Sequence, residues 1–245
     1  MEIVIGVFLL AGVIKGVIGL GLPTIAMGLL STVMEPAVAA SLLIIPSLVT
    51  NIWQLLIGPQ FMALAKRLSG FVIGVLLGTW LSFLPSLTSS STWTLPALGV
   101  VLIIYGGWGI MAKKMPSFEK HEIWLSPTVG YFTGVITAAT GVFVIPAVPY
   151  LQTLKLNKDE LIQALGLAFT ASTVALAIKL SIDHQQNDID WGLSFFALIP
   201  AIVGMYLGQY FRRVISEKLF RRCFFIGLIG LGIYMAKQWV IMVAS

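Results

Sequence analysis

Long runs of hydrophobic residues make up most of this chain, and its few charged residues mark where the runs end. A helix that crosses a membrane needs about 20 apolar residues. Six segments meet this requirement, and a Ser/Thr/Pro cluster at 85–92, typical of a turn, separates the second from the third. The runs do not alternate as β-barrel strands do, so the pattern predicts an all-α polytopic membrane protein. The six predicted spans are 37–57, 68–84, 94–112, 161–182, 191–211 and 220–242.

Two more apolar segments, 3–33 and 124–151, differ from these six. Each is longer than one span needs and too short for two, and both are rich in glycine and proline. They also resemble each other, because the pattern Gly-x-x-x-Gly-Val-Ile begins at Gly12 in the first and at Gly130 in the second. Including them, the chain has about eight hydrophobic segments.

A second pair of small-residue motifs follows in the same order. Gly70-x-x-x-Gly74-x-x-x-Gly78 in the first half has a counterpart in Pro200-x-x-x-Gly204-x-x-x-Gly208. Such spacing is common wherever membrane helices pack, but two matches in one order at a spacing of about 120 residues indicate an internal duplication. We place the first repeat at 1–117 and the second at 118–245.

The positions of the basic residues distinguish two topologies. If all eight segments cross once, Lys and Arg divide almost equally between the two sides, and the positive-inside rule gives no orientation. If 3–33 and 124–151 each turn back, the other face keeps only Lys179 and Lys237, beside Glu35 and the acidic loop 183–190. Twelve basic residues then share one face: Lys66, Arg67, Lys113, Lys114, Lys120, Lys155, Lys158, Arg212, Arg213, Lys218, Arg221 and Arg222.

This bias predicts two inverted-topology repeats, each a Gly/Pro-broken re-entrant hairpin followed by three transmembrane helices, a plan that recurs in transporters. Both termini would lie outside the cytoplasm, on the periplasmic side of the inner membrane. The start of the chain lacks the basic residues of a signal peptide, so we expect the first segment to be retained.

Composition narrows the class of protein. The chain is 58% hydrophobic and only 10% charged, with a mean hydropathy of +0.97, which excludes a soluble enzyme, a nucleic-acid-binding domain and a disordered chain. The net charge of +5 fits basic cytoplasmic loops facing a lipid bilayer. A single cysteine, Cys223, excludes an internal disulfide and a cysteine-based metal cluster.

Lys15 is a charged residue that lies inside an apolar segment and not in a loop. Counting about 1.5 Å per residue from the start of its segment places it near the midplane, where a cation is a functional-site hypothesis. Gly19 and Gly21 would let backbone and ligand approach closely, and the helix that resumes at Pro23-Thr24 would favour an anion at its start. The alternative is that Lys15 reaches an interface or pairs with a carboxylate.

Other polar residues have a structural and a functional interpretation. In the second hairpin Thr133 occupies the position of Lys15, and Thr137, Thr140 and Gly141 either bind an oxyanion or, for the hydroxyls, bond to their own helix. Polar residues within the spans either line a substrate path or hold helices together. These are Asn51 and Gln54 in the first half, Thr170, Ser172 and Thr173 in the second, with Gln163 a weaker candidate.

The sequence lacks the residues that metal binding, cofactor binding and catalysis usually need. No Asp or Glu lies in the middle of a predicted span, and the two histidines, His121 and His184, fall in loops. We therefore expect no metal, no cofactor and no catalytic set, and an anion suits the buried residues better than a cation. Three alternatives stay open: a carrier or channel for another small anion or a cation, a non-transport membrane assembly factor, and a membrane enzyme.

The glycine segments resemble the TauE/SafE sulfite-exporter family, also called TSUP. Gly12, Gly16, Gly19 and Gly21 match its first motif, and Ala37-Val-Ala-Ala-Ser41 matches the Ala-x-x-Thr-Ser stretch that follows, with Ala40 in place of Thr. Gly130, Gly134, Gly141 and Pro146 match the second copy. Departures occur at Leu22, Pro23, Gly28, Thr137, Ala139 and Thr140.

The resemblance implies transport of small sulfur-containing anions such as sulfite, sulfonates or sulfoacetate, by export or by exchange coupled to an ion, a proton or sodium. Alternating access would rock one repeat against the other around a midplane anion site. The sequence does not reveal an oligomeric state. The predicted substrate-binding residues are Lys15, Gly19, Gly21, Thr24, Asn51, Gln54, Thr137, Thr140, Gly141, Thr170 and Thr173.

Overall fold

The computed structural model describes residues 1–89, 93–111, 117–183, 191–212, 214 and 216–244. This part of the chain is helical and contains no β-strand. A short 3₁₀ turn at Glu119–His121 directly precedes the helix that starts at Glu122. The helices are α1 (Glu2–Ile18), α2 (Leu22–Leu30), α3 (Pro36–Ile57), α4 (Phe61–Arg67), α5 (Ser69–Trp80), α6 (Thr94–Met111), α7 (Glu122–Thr140), α8 (Ala147–Leu151), α9 (Lys158–Asp183), α10 (Trp191–Phe211) and α11 (Glu217–Ala244).

Five of these helices, α3, α6, α9, α10 and α11, are long and apolar enough to cross a membrane. The pair α4 and α5, bent by 59° between Arg67 and Ser69, makes a sixth if it is counted as one span. The five long helices coincide with segments that the hydropathy pattern predicts, whereas the predicted span 68–84 contains only α5 of the bent pair. The all-α polytopic fold class is therefore confirmed for the described residues. Lys113, Lys114, Arg213 and most of the acidic loop, 184–190 with His184, lie outside them.

Both glycine-rich segments are broken helices, as their composition predicts. The first stops at Gly19 (φ 85°) and restarts as α2 after Gly21 (φ 107°), with Pro23 in its first turn. The second stops at Gly141 (φ 69°), and the chain is irregular until α8. A left-handed backbone is open to glycine at little cost, so these glycines let the chain leave each helix.

The Gly-x-x-x-Gly motif of α1 packs against α10, in the other half of the chain. A Cβ atom at Gly12 or Gly16 would overlap the carbonyl oxygens of Ala201 and Met205, respectively. Small residues let membrane helices approach until their backbones touch. Residues four apart on α1 contact residues four apart, in the same order, on α10. The two helices therefore run in the same direction.

The matching motif of α7 packs in the same way against α5. A Cβ at Gly130 would meet the carbonyl oxygen of Phe71, and one at Gly134 would meet that of Val75. Conversely, Gly74 lies against Pro127 of α7. The motifs that look alike in sequence thus do not pair with each other. Each pairs with the later glycine motif of the opposite half, while α3 packs on α9 and α6 on α11.

One end of the bundle, called the Arg67 end here, brings together both flanks of segment 124–151. Arg67 bonds to Glu122 at 2.7 Å before the segment and to the Leu154 carbonyl at 3.3 Å after it. Lys155 Nζ lies 3.0 Å from Glu119 Oε2, and this hydrogen bond lowers the pKa of Glu119. The chain therefore enters and leaves segment 124–151 at one end.

The opposite end, called the Asp183 end, forms around the last residue of α9. The hydroxyls of Ser86 and Thr88 donate to Asp183 Oδ2 at 2.9 and 3.0 Å, and Lys179 lies 3.3 Å from Oδ1. Gln54 and Asn51 of α3 contact Ile162 and Thr173 of α9 in reverse order, so the start of α3 lies at this end. Ser194 of α10 bonds to Leu42 near the start of α3 and therefore lies close to this end as well.

The first glycine-rich segment also returns to the end at which it began. Ser194 donates to the Leu42 carbonyl at 3.0 Å. This carbonyl lacks its usual helical donor, because Pro46, four residues later, has no N–H. Farther along, Val49 and Trp53 of α3 share a groove with Ile202 and Tyr206 of α10, so α3 runs parallel to α10. Because α1 and α3 both run from the Asp183 end toward the Arg67 end, the chain between them turns back through α2.

Candidate functional site

Lys15 is a buried cation held by side chains of α3. Lys15 is only 4% exposed. The ammonium Nζ donates to Thr50 Oγ1 at 2.9 Å and to Asn51 Oδ1. The glycine contact between α1 and α10 positions this part of α1, because it fixes Gly16 against Met205. The lysine is thereby kept inside the bundle, away from the lipid.

Both acceptors are themselves oriented by further hydrogen bonds. Thr50 donates its own proton to the Pro46 carbonyl at 2.7 Å, which turns the lone pairs of its hydroxyl oxygen toward Lys15. Asn51 Nδ2 reaches Thr173 Oγ1 at 3.5 Å, and Thr173 donates to the Phe169 carbonyl at 2.7 Å. The network therefore joins α1, α3 and α9.

Lys15 has no carboxylate partner in the described part of the chain. The ion pairs found there involve Arg67, Lys155 and Lys179, and the two acceptors of Lys15 are neutral. An ammonium group has three donors, and these contacts occupy two. An uncompensated cation at depth is costly, so the site is electrostatically suited to an anion.

A cavity of about 220 Å³, called the Lys15 cavity, opens beside this lysine. No Asp or Glu among the described residues lines it. Met205 and Gln209 belong to the last turns of α10, so Lys15 lies nearer the Arg67 end than the midplane position expected from counting residues. The lining residues are Lys15, Gly16, Gly19, Thr50, Trp53, Gln54, Ile57, Ile162, Met205, Gln209 and Arg212.

Two glutamines hold the end of α3 against α9. Gln54 lines the Lys15 cavity and donates to the Ile162 carbonyl at 2.9 Å. Gln163 is fully buried, donates to the carbonyls of Leu55 and Gly58 at 2.7 Å each, and accepts from the Gln60 N–H at 3.0 Å. Gln163 thus only holds α3 against α9, whereas Gln54 holds the two helices together and also lines the Lys15 cavity.

The threonines of the second half bond to their own helices. Thr137, Thr140 and Thr170 donate to the carbonyls four residues earlier, each at 2.7 Å. A hydroxyl used in this way is not free to donate to an oxyanion. None of the three lines the Lys15 cavity, and Gly141 lies instead against Met27 of α2. The structure does not bring the second break to Lys15.

The remaining predicted residues belong to the first break and to α9. Gly19 lines the Lys15 cavity, while Gly21 lies against Ile14 and Phe224. The Thr24 hydroxyl is buried without a hydrogen-bond partner among the described residues, and the same is true of Ser172. Of the predicted set, the structure therefore places four residues at or next to the Lys15 cavity: Lys15, Gly19, Asn51 and Gln54. Thr173 is connected to them through its hydrogen bond with Asn51.

Sequence reasoning missed Thr50 and Arg212. Thr50 directly precedes Asn51 and lies one helical turn before Gln54, so the helical period could have pointed to it. Arg212 was counted only as a basic loop residue, although it lines the Lys15 cavity. No local signal separates it from Arg213.

Fold and site together define a polytopic helical membrane protein with a buried lysine that has no carboxylate partner among the described residues. The chain belongs to the sulfite exporter TauE/SafE family, whose model matches residues 4–235. Neither the curated proteins nor the solved structures compared with this chain gave a match. The match confirms the resemblance based on the glycine motifs. TauE/SafE is a transporter family, and membership implies a membrane exporter of sulfur-containing anions.

Proposed function

We propose that this protein carries a small sulfur oxyanion, such as sulfite, a sulfonate or sulfoacetate, across the inner membrane by binding it at Lys15. One observation carries the proposal: the Lys15 ammonium is buried with only the neutral acceptors Thr50 and Asn51, and it opens onto a cavity without a described carboxylate. An anion in that cavity supplies the missing negative charge. Binding then offsets the cost of burying both ions.

The volume of the Lys15 cavity suits a small ligand. At about 220 Å³, it is below the 300–1,000 Å³ or so of pockets for drug-sized molecules. The anion would accept from the third proton of Lys15, with the amides of Gln54 and Gln209 beside it. Arg212 lies at the same cavity and adds a second positive charge.

We further propose that the two broken segments are re-entrant hairpins within two inverted repeats, one in 1–117 and one in 118–245. The contact of Lys155 with Glu119 supports a returning path for 124–151, and the shared direction of α1 and α3 supports one for 3–33. The positive-inside rule then makes the Arg67 end cytoplasmic and leaves both termini periplasmic.

The reciprocal glycine contacts support a moving unit. Each first hairpin helix is packed backbone to backbone on a helix of the other repeat, α1 on α10 and α7 on α5. Each pair joins the two repeats, so in alternating access each pair would shift as one body against α3 and α9, which carry Thr50 and Thr173, and one whole repeat would not rock against the other. A proton or sodium ion would be the coupling ion.

Counterflow of radiolabelled sulfite in proteoliposomes tests the proposal. Lys15→Met should lower uptake by more than about 10-fold, because a hydrogen bond to a charged group contributes about 1.5–3 kcal/mol. Lys179→Met is the matched control: it also removes a lysine from an apolar helix, but one paired with Asp183. Folded Lys15→Met protein with wild-type uptake would remove Lys15 from the site.

A further inference from the structure

A second cavity, called the Tyr105 cavity, lies directly beside the Lys15 cavity. Its volume is about 160 Å³, and it shares Gly19, Ile162 and Arg212 with its neighbour. Gly19 is the left-handed residue at which α1 stops, so the two cavities meet at the first helix break. Both hairpins contribute to it, since Val148 of α8 lines it as well.

Three basic residues from three different parts of the chain line the Tyr105 cavity. Lys158 begins α9, Arg212 follows α10 and Arg221 lies in the first turns of α11. No carboxylate among the described residues lines the cavity, and none forms an ion pair with these three. Arg221 is steadied by Phe225, whose ring centre is 5.6 Å from the guanidinium carbon.

The Tyr105 hydroxyl is an independent sign of a ligand. Tyr105 is fully buried and lines the cavity, yet its hydroxyl has no hydrogen-bond partner among the described residues. The ring is held by stacking on Trp108 and by an edge contact with Phe225, with centroids 6.1 and 5.3 Å apart. A buried hydroxyl without a partner is costly, and an oxyanion would accept from it.

We propose that the Tyr105 cavity is a second oxyanion site, which takes the sulfur oxyanion at the Arg67 end and passes it to Lys15. This inference rests on the proposed function, since it gives the Lys15 site its entrance. Guanidinium groups bind oxyanions in a fixed geometry, and the phenol fixes one further oxygen. Clustered positive charge in a cleft also raises the local concentration of anions. Arg212, common to both cavities, keeps contact with the ion as it moves.

Equilibrium binding of radiolabelled sulfite to purified full-length protein in an uncharged detergent tests the second site. We expect two bound anions per chain in the wild type and one in Lys15→Met. Tyr105→Phe keeps the ring contacts and removes only the hydroxyl, and it should weaken the site left in Lys15→Met by about 5-fold or more. Arg221→Gln should weaken it further. Arg222→Gln, an exposed neighbour of Arg221, is the control and should change nothing.

The outcomes separate this inference from the proposed function. If Lys15→Met binds no sulfite and Tyr105→Phe binds it like the wild type, the second site is wrong and the Lys15 site stands. If Lys15→Met leaves both anions bound while Tyr105→Phe weakens one, the Lys15 proposal fails and the Tyr105 site stands.

A lipid phosphate presents the same chemistry as a sulfur oxyanion. The Lys15→Met protein is therefore also measured in nanodiscs of phosphatidylcholine with and without phosphatidylglycerol. Sulfite binding that persists with phosphatidylglycerol present supports the small anion. Complete displacement of sulfite by phosphatidylglycerol would assign the cavity to a lipid headgroup and overturn the proposal.

Discussion

Gly16 of α1 and Gly208 of α10 touch backbone to backbone: a Cβ atom added to either residue would lie 2.9 Å from the Cα atom of the other. This contact is next to Lys15 in the chain and connects the first half of the chain to the second. It sets both the depth and the rotation of α1 at the residue that carries the buried charge. The proposed anion site therefore depends on packing between helices as much as on the lysine itself.

Replacing Gly208 by alanine should destabilise the protein and disturb anion binding together. The new methyl group would overlap the Val13 carbonyl, which belongs to helix backbone and is not free to yield. Overpacking of this kind costs about 1–3 kcal/mol. Thermal unfolding in detergent, with and without sulfite, measures both effects. Gly227→Ala in α11, where a Cβ would meet nothing within 4 Å, should leave both unchanged, and equal effects of the two variants would contradict the packing argument.

Asn51→Asp should keep the fold and weaken anion binding. The substitution has nearly the same shape but places a carboxylate beside Lys15, so the ammonium acquires a permanent counter-ion. We expect unfolding temperature at least equal to the wild type, with sulfite affinity lowered by about 10-fold or more. Asn157→Asp makes the same chemical change at the exposed start of α9 and should bind normally. Wild-type affinity in Asn51→Asp would show that the charge of Lys15 is not used for binding.

Thr50→Val should weaken sulfite binding, whereas Thr137→Val should leave it almost unchanged. Both substitutions replace a buried hydroxyl by a methyl group. Thr50 accepts from Lys15, so its loss should weaken binding and lower the free energy of unfolding by about 1–3 kcal/mol. Thr137 bonds only to its own helix, at the Thr133 carbonyl, and its loss should change affinity by less than about twofold. A larger effect of Thr137→Val on sulfite affinity would return the second hairpin to the site.

Cysteines at Glu119 and Lys155, placed singly in a Cys223→Ser background, should react with a membrane-impermeant maleimide from the same side. Their side chains meet at the Arg67 end. Ser86→Cys, at the Asp183 end, should react from the opposite side and serves as the comparison. Labelling of positions 119 and 155 from opposite sides would mean that segment 124–151 crosses the membrane, and the re-entrant topology would be wrong.

The spans, the helix breaks and the presence of Lys15 inside the bundle could be predicted from the amino-acid sequence, because each depends on a local property. A charge-free run of sufficient length favours a helix in lipid wherever it occurs. Glycine permits the backbone of Gly19 and Gly141 irrespective of the neighbours. A lone lysine within such a run is costly in any arrangement, which made it a candidate before its partners were known.

What the tertiary structure decided is which surfaces meet. The partners of Lys15 are Thr50 and Asn51 on another helix, and the cavities at Arg212 and Tyr105 assemble from distant segments. In a soluble helix an apolar stripe marks the buried face. A membrane helix is apolar toward lipid and toward protein alike, so its hydropathy does not show which face packs or in which register. For α1 with α10 and for α5 with α7, the close glycine contacts fixed that choice.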